Sequence, residues 1–151
     1  RQFIFRSHLT MLRLLAFSSL LVCVSAGLFG RTQSVAVRGK LMCNDKPAGH
    51  VKIKMYDEDS LYDDLLDSGE STADGSFSLA GTDNEITRLD PKINIYHDCD
   101  DGITPCQRRI TIYIPKKYIS SGSTATDHYD AGVIQLAGKF SGETRDCIHR
   151  H

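Results

Sequence analysis

Apolar and polar residues alternate along much of the chain. VKIKMY at 51–56 sets Val51, Ile53 and Met55 against Lys52, Lys54 and Tyr56, the two-residue period of a strand with one face in a core and one in water. The alternation recurs in FSL at 77–79, in KINIYH at 92–97 through Ile93 and Ile95, in RITIYIP at 109–115 through Ile110, Ile112 and Ile114, and in GVIQL around Ile134. Val35, Val37 and Leu41 predict another strand ahead of Cys43. Turn formers separate these runs: Asn44 to Pro47, Asp74-Gly75, Gly81 to Asn84, Asp101-Gly102 and Ser120 to Ser123. Helical character is limited to a short turn near 83–89 or 116–120. Closely spaced strands without a long helical period predict one all-β domain, an antiparallel β-sandwich.

One apolar run does not fit that pattern. From Met11 the chain reads MLRLLAFSSLLVCVSA, with a charge at Arg13, an apolar run from Leu14 to Val24 and small residues at Ser25 and Ala26. That order is the order of a secretory signal peptide, with cleavage expected after Ala26 and Met11 as the start, residues 1–10 being upstream sequence. The run is shorter than the roughly 20 apolar residues of a membrane-spanning helix. The expected mature domain is 27–151. Removing Arg1, Arg6 and Arg13 with the leader takes 18 basic residues to 15 against 19 acidic ones, a net charge of −4. An excess of that sign argues against nucleic acid as the partner.

Export changes the reading of the cysteines. Cys23 leaves with the leader, and Cys43, Cys99, Cys106 and Cys147 form an even set that reads as a disulfide framework. Four cysteines permit three pairings. The favoured one joins Cys99 to Cys106, because DDGITP between them holds the turn formers Asp101-Gly102 and Pro105, and leaves Cys43 for Cys147. On that pairing the long staple contributes more than the short one.

HDCDDGITPC at 97–106 is the densest concentration of chemistry-bearing side chains. His97 and Cys99 are candidate zinc ligands, but oxidised thiols are lost to a metal, and a strand-end histidine is more often a hydrogen-bonded residue. Redox chemistry favours a tight Cys-x-x-Cys spacing, which this pair lacks. The segment therefore reads as a stapled recognition loop tipped by Asp98, Asp100 and Asp101. DEDSLYDDLLDSGE at 57–70 is rich in carboxylates but lacks the Asp-x-Asp-x-Asp-Gly spacing of a calcium loop, and reads as a solvated loop whose Leu61, Tyr62, Leu65 and Leu66 turn to the core. No Gly-x-Ser-x-Gly elbow occurs. No catalytic residue, cofactor or metal is assigned.

A family resemblance runs through the mature chain. GESTADGSFSL resembles the turn-and-strand segment of transthyretin and other prealbumin-like sandwiches, and VRGKLMCNDKPA, VKIKMYDEDS, DDLLDSGESTADGSFSLAG, DPKINIYHDCDDG, PCQRRITIYIP and FSGETRDCIH together resemble the nematode transthyretin-like family over about 35–149. The resemblance implies a small secreted prealbumin-like sandwich of seven to eight strands with two disulfides. It also brings in a proposed family role, bridging an exposed membrane lipid to a receptor. Two activities of related folds find little support: Lys52 and Lys54 read as a solvated strand edge rather than a hormone site, and the chain ends RDCIHRH rather than in the Tyr-Arg-Gly-Ser of hydroxyisourate hydrolases. The expectation is a non-enzymatic extracellular binding module that takes a cell-surface protein, a lipid or a small hydrophobic ligand, with Arg108, Arg109, Lys116 and Lys117 as candidate anionic contacts.

Overall fold

The computed structural model describes residues 30–148. The leader at 11–26 lies outside them. Ten strands follow in order: β1 Arg31–Cys43, β2 Lys46–Pro47, β3 Lys52–Asp57, β4 Asp64–Glu70, β5 Ser76–Glu85, β6 Pro91–His97, β7 Gln107–Tyr113, β8 Ser120–Ser121, β9 Tyr129–Gln135 and β10 Thr144–Asp146. β2, β8 and β10 span two or three residues each, so the framework is the seven longer strands. A 3-10 turn at Lys116–Tyr118 falls in the second of the two helical windows.

Two sheets stack as a sandwich. In the first, β1 pairs antiparallel with β5 from Arg31↔Glu85 to Lys40↔Ser76, and its other edge carries β8 and then β9. β9 runs parallel to β1, so one pair departs from the antiparallel expectation. A parallel partner needs a long connection, and here the chain passes through β3, β4, β6 and β7 of the second sheet between the two strands. The second sheet has the order β10-β7-β6-β3-β4 and is antiparallel throughout. Val35, Val37 and Leu41 of β1 meet Ile53 and Met55 of β3, Ile93 and Ile95 of β6 and Ile110 of β7 in one core, the residues that the alternation predicts.

β6 departs from simple alternation, because all seven of its residues are buried. Ile93 and Ile95 face the core, while Lys92 and Asn94 on the other face are covered by neighbouring polar groups. The Lys92 ammonium donates to Glu58 Oε1 at 2.8 Å and pairs with Asp63 Oδ2 at 2.8 Å, so its charge is compensated where it lies.

The acidic stretch 57–70 is not a single solvated loop. Its second half is the edge strand β4, paired with β3 from Lys52↔Glu70 to Asp57↔Asp64. Only Leu66 of its apolar residues packs on the core, while Leu61, Tyr62 and Leu65 are exposed.

The turn from β4 into β5 is locked by Asp74. Thr72 Oγ1 donates to Asp74 Oδ1 at 2.5 Å and Ser76 Oγ donates to Asp74 Oδ2 at 2.9 Å, and these bonds hold the Asp74 carboxyl down to about 2. Gly75 follows at φ 84°, the left-handed region, and its carbonyl accepts from Leu41 N at 2.8 Å.

The four cysteines are all oxidised, but in a pairing other than Cys99–Cys106 and Cys43–Cys147. Cys43 bonds Cys99, and Cys106 bonds Cys147. Residues 98–106 do form a hairpin loop, yet Cys99 joins the end of β1 in the opposite sheet. Cys106 instead meets its lateral neighbour, because Asp146↔Gln107 brings Cys147 beside it. One bridge thus ties sheet to sheet and the other ties β10 to β7. The sequence separations, 56 and 41, give loop-closure contributions of about 4 kcal/mol each in the chain-entropy model, so neither staple dominates.

Candidate functional site

The end of the sandwich that carries both disulfides is built on buried charge. Arg108, on the inward face of β7, is only 6% exposed. Its Nε and Nη2 donate to the two Glu143 oxygens at 2.6 and 2.7 Å, Nη1 donates to the carbonyls of Cys99 and Leu136 at 3.0 and 3.1 Å, and Nη2 also reaches Gly138 O at 2.5 Å. That bidentate bond holds the Glu143 carboxyl below its usual range. On the rim, Arg145 grips Asp101 through Nη1–Oδ2 at 2.7 Å and Nη2–Oδ1 at 2.5 Å, lowering the Asp101 carboxyl in the same way. These contacts hold the C-terminal segment and the 98–106 loop in place. Arg108 is therefore corrected from a candidate anionic contact to an internal clamp, since Glu143 already occupies its fork.

The 98–106 segment offers no zinc site of the kind the sequence raises. Cys99 Sγ is bonded to Cys43, and His97 is 2% exposed with Nδ1 accepting from Cys99 N at 3.2 Å. Burial first, and then the Arg108 charge, hold the His97 imidazole down to about 4, so it is neutral. At the opposite end of the sandwich, Asp57, Asp59 and Glu85 converge, as do Asp64, Asp83 and Glu85. Burial and crowding by other carboxylates raise both Asp57 and Glu85.

The remaining basic candidates lie apart. Arg109 is on the outer face of β7, with Nε donating to Thr144 Oγ1 at 3.0 Å and Nη1 to Asp146 Oδ2 at 3.4 Å. Lys116 and Lys117 lie past the far end of the same strand, where Lys116 pairs with Asp90 at 2.6 Å and Lys117 sits 5.0 Å from the Tyr118 ring centroid. The four residues do not converge on one ligand.

Near the 3-10 turn lies a groove that the sequence did not indicate. Arg31, Gln33, Arg88, Ile119, Ser120 and Ser121 line a cleft of about 210 Å³. The pairing Ser34↔Ser120 and Gln33↔Ser121 brings the serines against the start of β1, and Arg88 reaches across to donate from Nη2 to Lys116 O at 2.6 Å. Gln33 forms the buried floor, with Nε2 donating to Thr87 O at 2.6 Å. The Arg31 guanidinium has no side-chain partner among the described residues. Exposed Ile86 lies one residue beyond Glu85, the pairing partner of Arg31. Residues 31, 88 and 120 are too distant in sequence for any motif to join them. Only the β1–β8 ladder and the loop before β6 do so.

The architecture is that of a two-sheet, disulfide-tied β-sandwich with a small basic cleft at one end. The model of the transthyretin-like family matches residues 38–115. Transthyretin-like protein 5 of Caenorhabditis elegans is 56% identical over 131 residues, covering 85% of this chain and 94% of that protein. Transthyretin-like protein 2 of the same organism is 47% identical over 132 residues, covering 83% and 89%, and transthyretin-like protein 33 is 46% identical over 145 residues, covering 93% and 100%. The chain belongs to the transthyretin-like family. Among solved structures a Cyanothece 9R-lipoxygenase aligns over 69% of this chain and 16% of its own at 19% identity, with a TM-score of 0.39, too slight a likeness to bear on the fold.

Proposed function

We propose that the chain is a secreted, non-enzymatic binding module that recognises an anionic headgroup on an extracellular surface through the cleft between Arg31 and Arg88. The observation that carries this reading is the unpartnered Arg31 guanidinium facing the Arg88 side of a small cleft walled by Ser120 and Ser121. Two guanidiniums and the Ser121 hydroxyl supply the donors that phosphate or carboxylate oxygens require, the Ser120 hydroxyl being held by Thr126, and arginine forks match such groups. A cleft of about 210 Å³ is smaller than a drug-sized pocket and suits a headgroup rather than an acyl chain. Exposed Ile86, next to the Glu85 partner of Arg31, supplies an apolar contact beside the cleft. Secretion rests on the leader at 11–26, and no helix among the described residues is long and apolar enough to cross a membrane. The β1–β8 pairing fixes one wall of the cleft, so little conformational freedom is lost there on binding.

Liposome sedimentation tests the reading. Vesicles containing anionic lipid should pellet the protein in a salt-sensitive manner, neutral vesicles should not, and Arg31→Glu with Arg88→Glu should abolish pelleting. A parallel titration with inorganic phosphate separates recognition of a free anion from that of a membrane-borne one. Equal pelleting of the charge-reversed variant, or no preference for anionic vesicles, would overturn it.

A further inference from the structure

The outer face of the second sheet carries a second cleft, about 350 Å³, whose chemistry differs from that of the basic groove. Asn94 and Thr111 form its floor, side by side in the register of β6 and β7. Lys92 lies at one end with Glu58, Asp63 and Tyr113. Arg109 and Ser141 border the other.

Charge balance selects the ligand class. The Lys92 ammonium is compensated by Glu58 and Asp63, and Arg109 is paired with Asp146. Two carboxylates on one ammonium leave one negative charge in excess, which disfavours an anion, and each carboxylate already has an oxygen on the Lys92 ammonium. The apolar content is also low: Tyr113, 59% exposed, offers the one aromatic ring at the border. What the floor does offer is directed hydrogen bonding. Thr111 Oγ1 donates to Asn94 Oδ1 at 2.8 Å, which fixes the amide, and the Asn94 amide nitrogen is left without a partner among the described residues while the side chain lines the cleft. Ser141 adds a hydroxyl at the border, and the Glu58 carboxylate accepts from Tyr113 OH at 3.3 Å, placing the ring.

We infer that this cleft is a binding site for a neutral saccharide, with the Asn94 amide as the fixed hydrogen-bond donor and the Tyr113 ring as the stacking platform. A sugar ring presents hydroxyls that both donate and accept around an apolar C–H face. The cleft presents the complement: a fixed amide, two carboxylates held by Lys92 that accept from hydroxyls, and one amphipathic aromatic. The volume is at the low end of ligand pockets and suits a short saccharide. Because the floor residues are locked by the sheet and by the Thr111 bond, binding exchanges ordered water for sugar hydroxyls with little rearrangement.

Amide NMR of the ¹⁵N-labelled mature chain, titrated separately with maltose, lactose and N,N′-diacetylchitobiose, tests the site. At least one neutral disaccharide should shift the Asn94 side-chain amide and the Thr111 backbone amide saturably. Asn94→Leu should abolish the shift. The exposed Tyr113→Ala variant, which leaves the core untouched, should weaken binding about tenfold. No saturable shift at these positions with any of the three sugars, or binding unchanged in Tyr113→Ala, would overturn the inference.

Discussion

His97 and Arg108 are register partners across β6 and β7, both facing inward and both buried. The pair is tolerated because His97 is neutral, its Nδ1 accepting from Cys99 N, while the Arg108 charge is met by Glu143. Protonating His97 would place a second cation beside the guanidinium in a region of low dielectric. The His97 Nε2 is also buried without a hydrogen-bond partner, so no acceptor there stabilises an imidazolium.

A pH dependence of defined sign follows. In the unfolded chain a histidine takes up its proton near 6.5, whereas in the fold His97 is held down to about 4. Between those values the unfolded state binds more protons, so stability should be complete above about pH 6.5, fall as the pH drops towards 4, and lose at most about 3 kcal/mol through this group. Urea unfolding at a series of pH values from 7 to 4 should show that slope, and His97→Gln should flatten it. An unchanged slope in the variant would assign the acid sensitivity elsewhere.

The disulfides make a sharp prediction about peptides. Digestion of the non-reduced protein should yield linked fragments containing Cys43 with Cys99 and Cys106 with Cys147, and none joining Cys99 to Cys106. Replacing either pair by alanine should cost similar amounts, about 4 kcal/mol before strain, because the two separations are similar.

The difference between sequence and structure is instructive at these cysteines. Asp101 and Gly102 do make a turn between β6 and β7, but the Cys99–Cys106 staple expected across it does not form. Which sulfurs touch is decided elsewhere, by β1 lying across from β6 and by β10 running beside β7. Period-two alternation similarly located the core of β1, β3, β6 and β7, where burial depends on one face of one strand. It could not locate the basic cleft, whose members come from three segments with no common spacing. The basic pair Arg108-Arg109 likewise does not reveal that Arg108 is internal, because the side chain that neutralises it is Glu143, 35 residues away.

Gly75 is the position where backbone geometry is least forgiving. It lies at φ 84°, and a Cβ built there would sit 2.3 Å from Leu41 O, the carbonyl beside the N–H that binds Gly75 itself. Gly75→Ala should therefore cost about 2 kcal/mol or more, through left-handed strain and displacement of β1. The check is a thermal melt set against Gly102→Ala, which shares the left-handed conformation but meets nothing within 4 Å and should lose less.

The crowded carboxylates where β3, β4 and β5 meet predict a stabilising change. Glu85 is raised above the usual glutamate range by burial and by Asp59, Asp83, Asp57 and Asp64 in turn, so its ionised form is less favourable in the fold than in the unfolded chain. A raised carboxyl binds protons more readily when folded. Its destabilising contribution is present at neutral pH and is relieved as the pH falls through its titration range, opposite in direction to the effect of His97. Asp83→Asn removes one of the repelling charges and leaves β5 intact, so it should raise stability at pH 7 by a few tenths to about 1 kcal/mol, with the gain shrinking as the medium is acidified. Denaturant midpoints for the two proteins at pH 7 and pH 4.5 decide the point. A gain that is the same at both values would mean that the substitution acts through packing or turn geometry and that the carboxylates do not repel one another measurably.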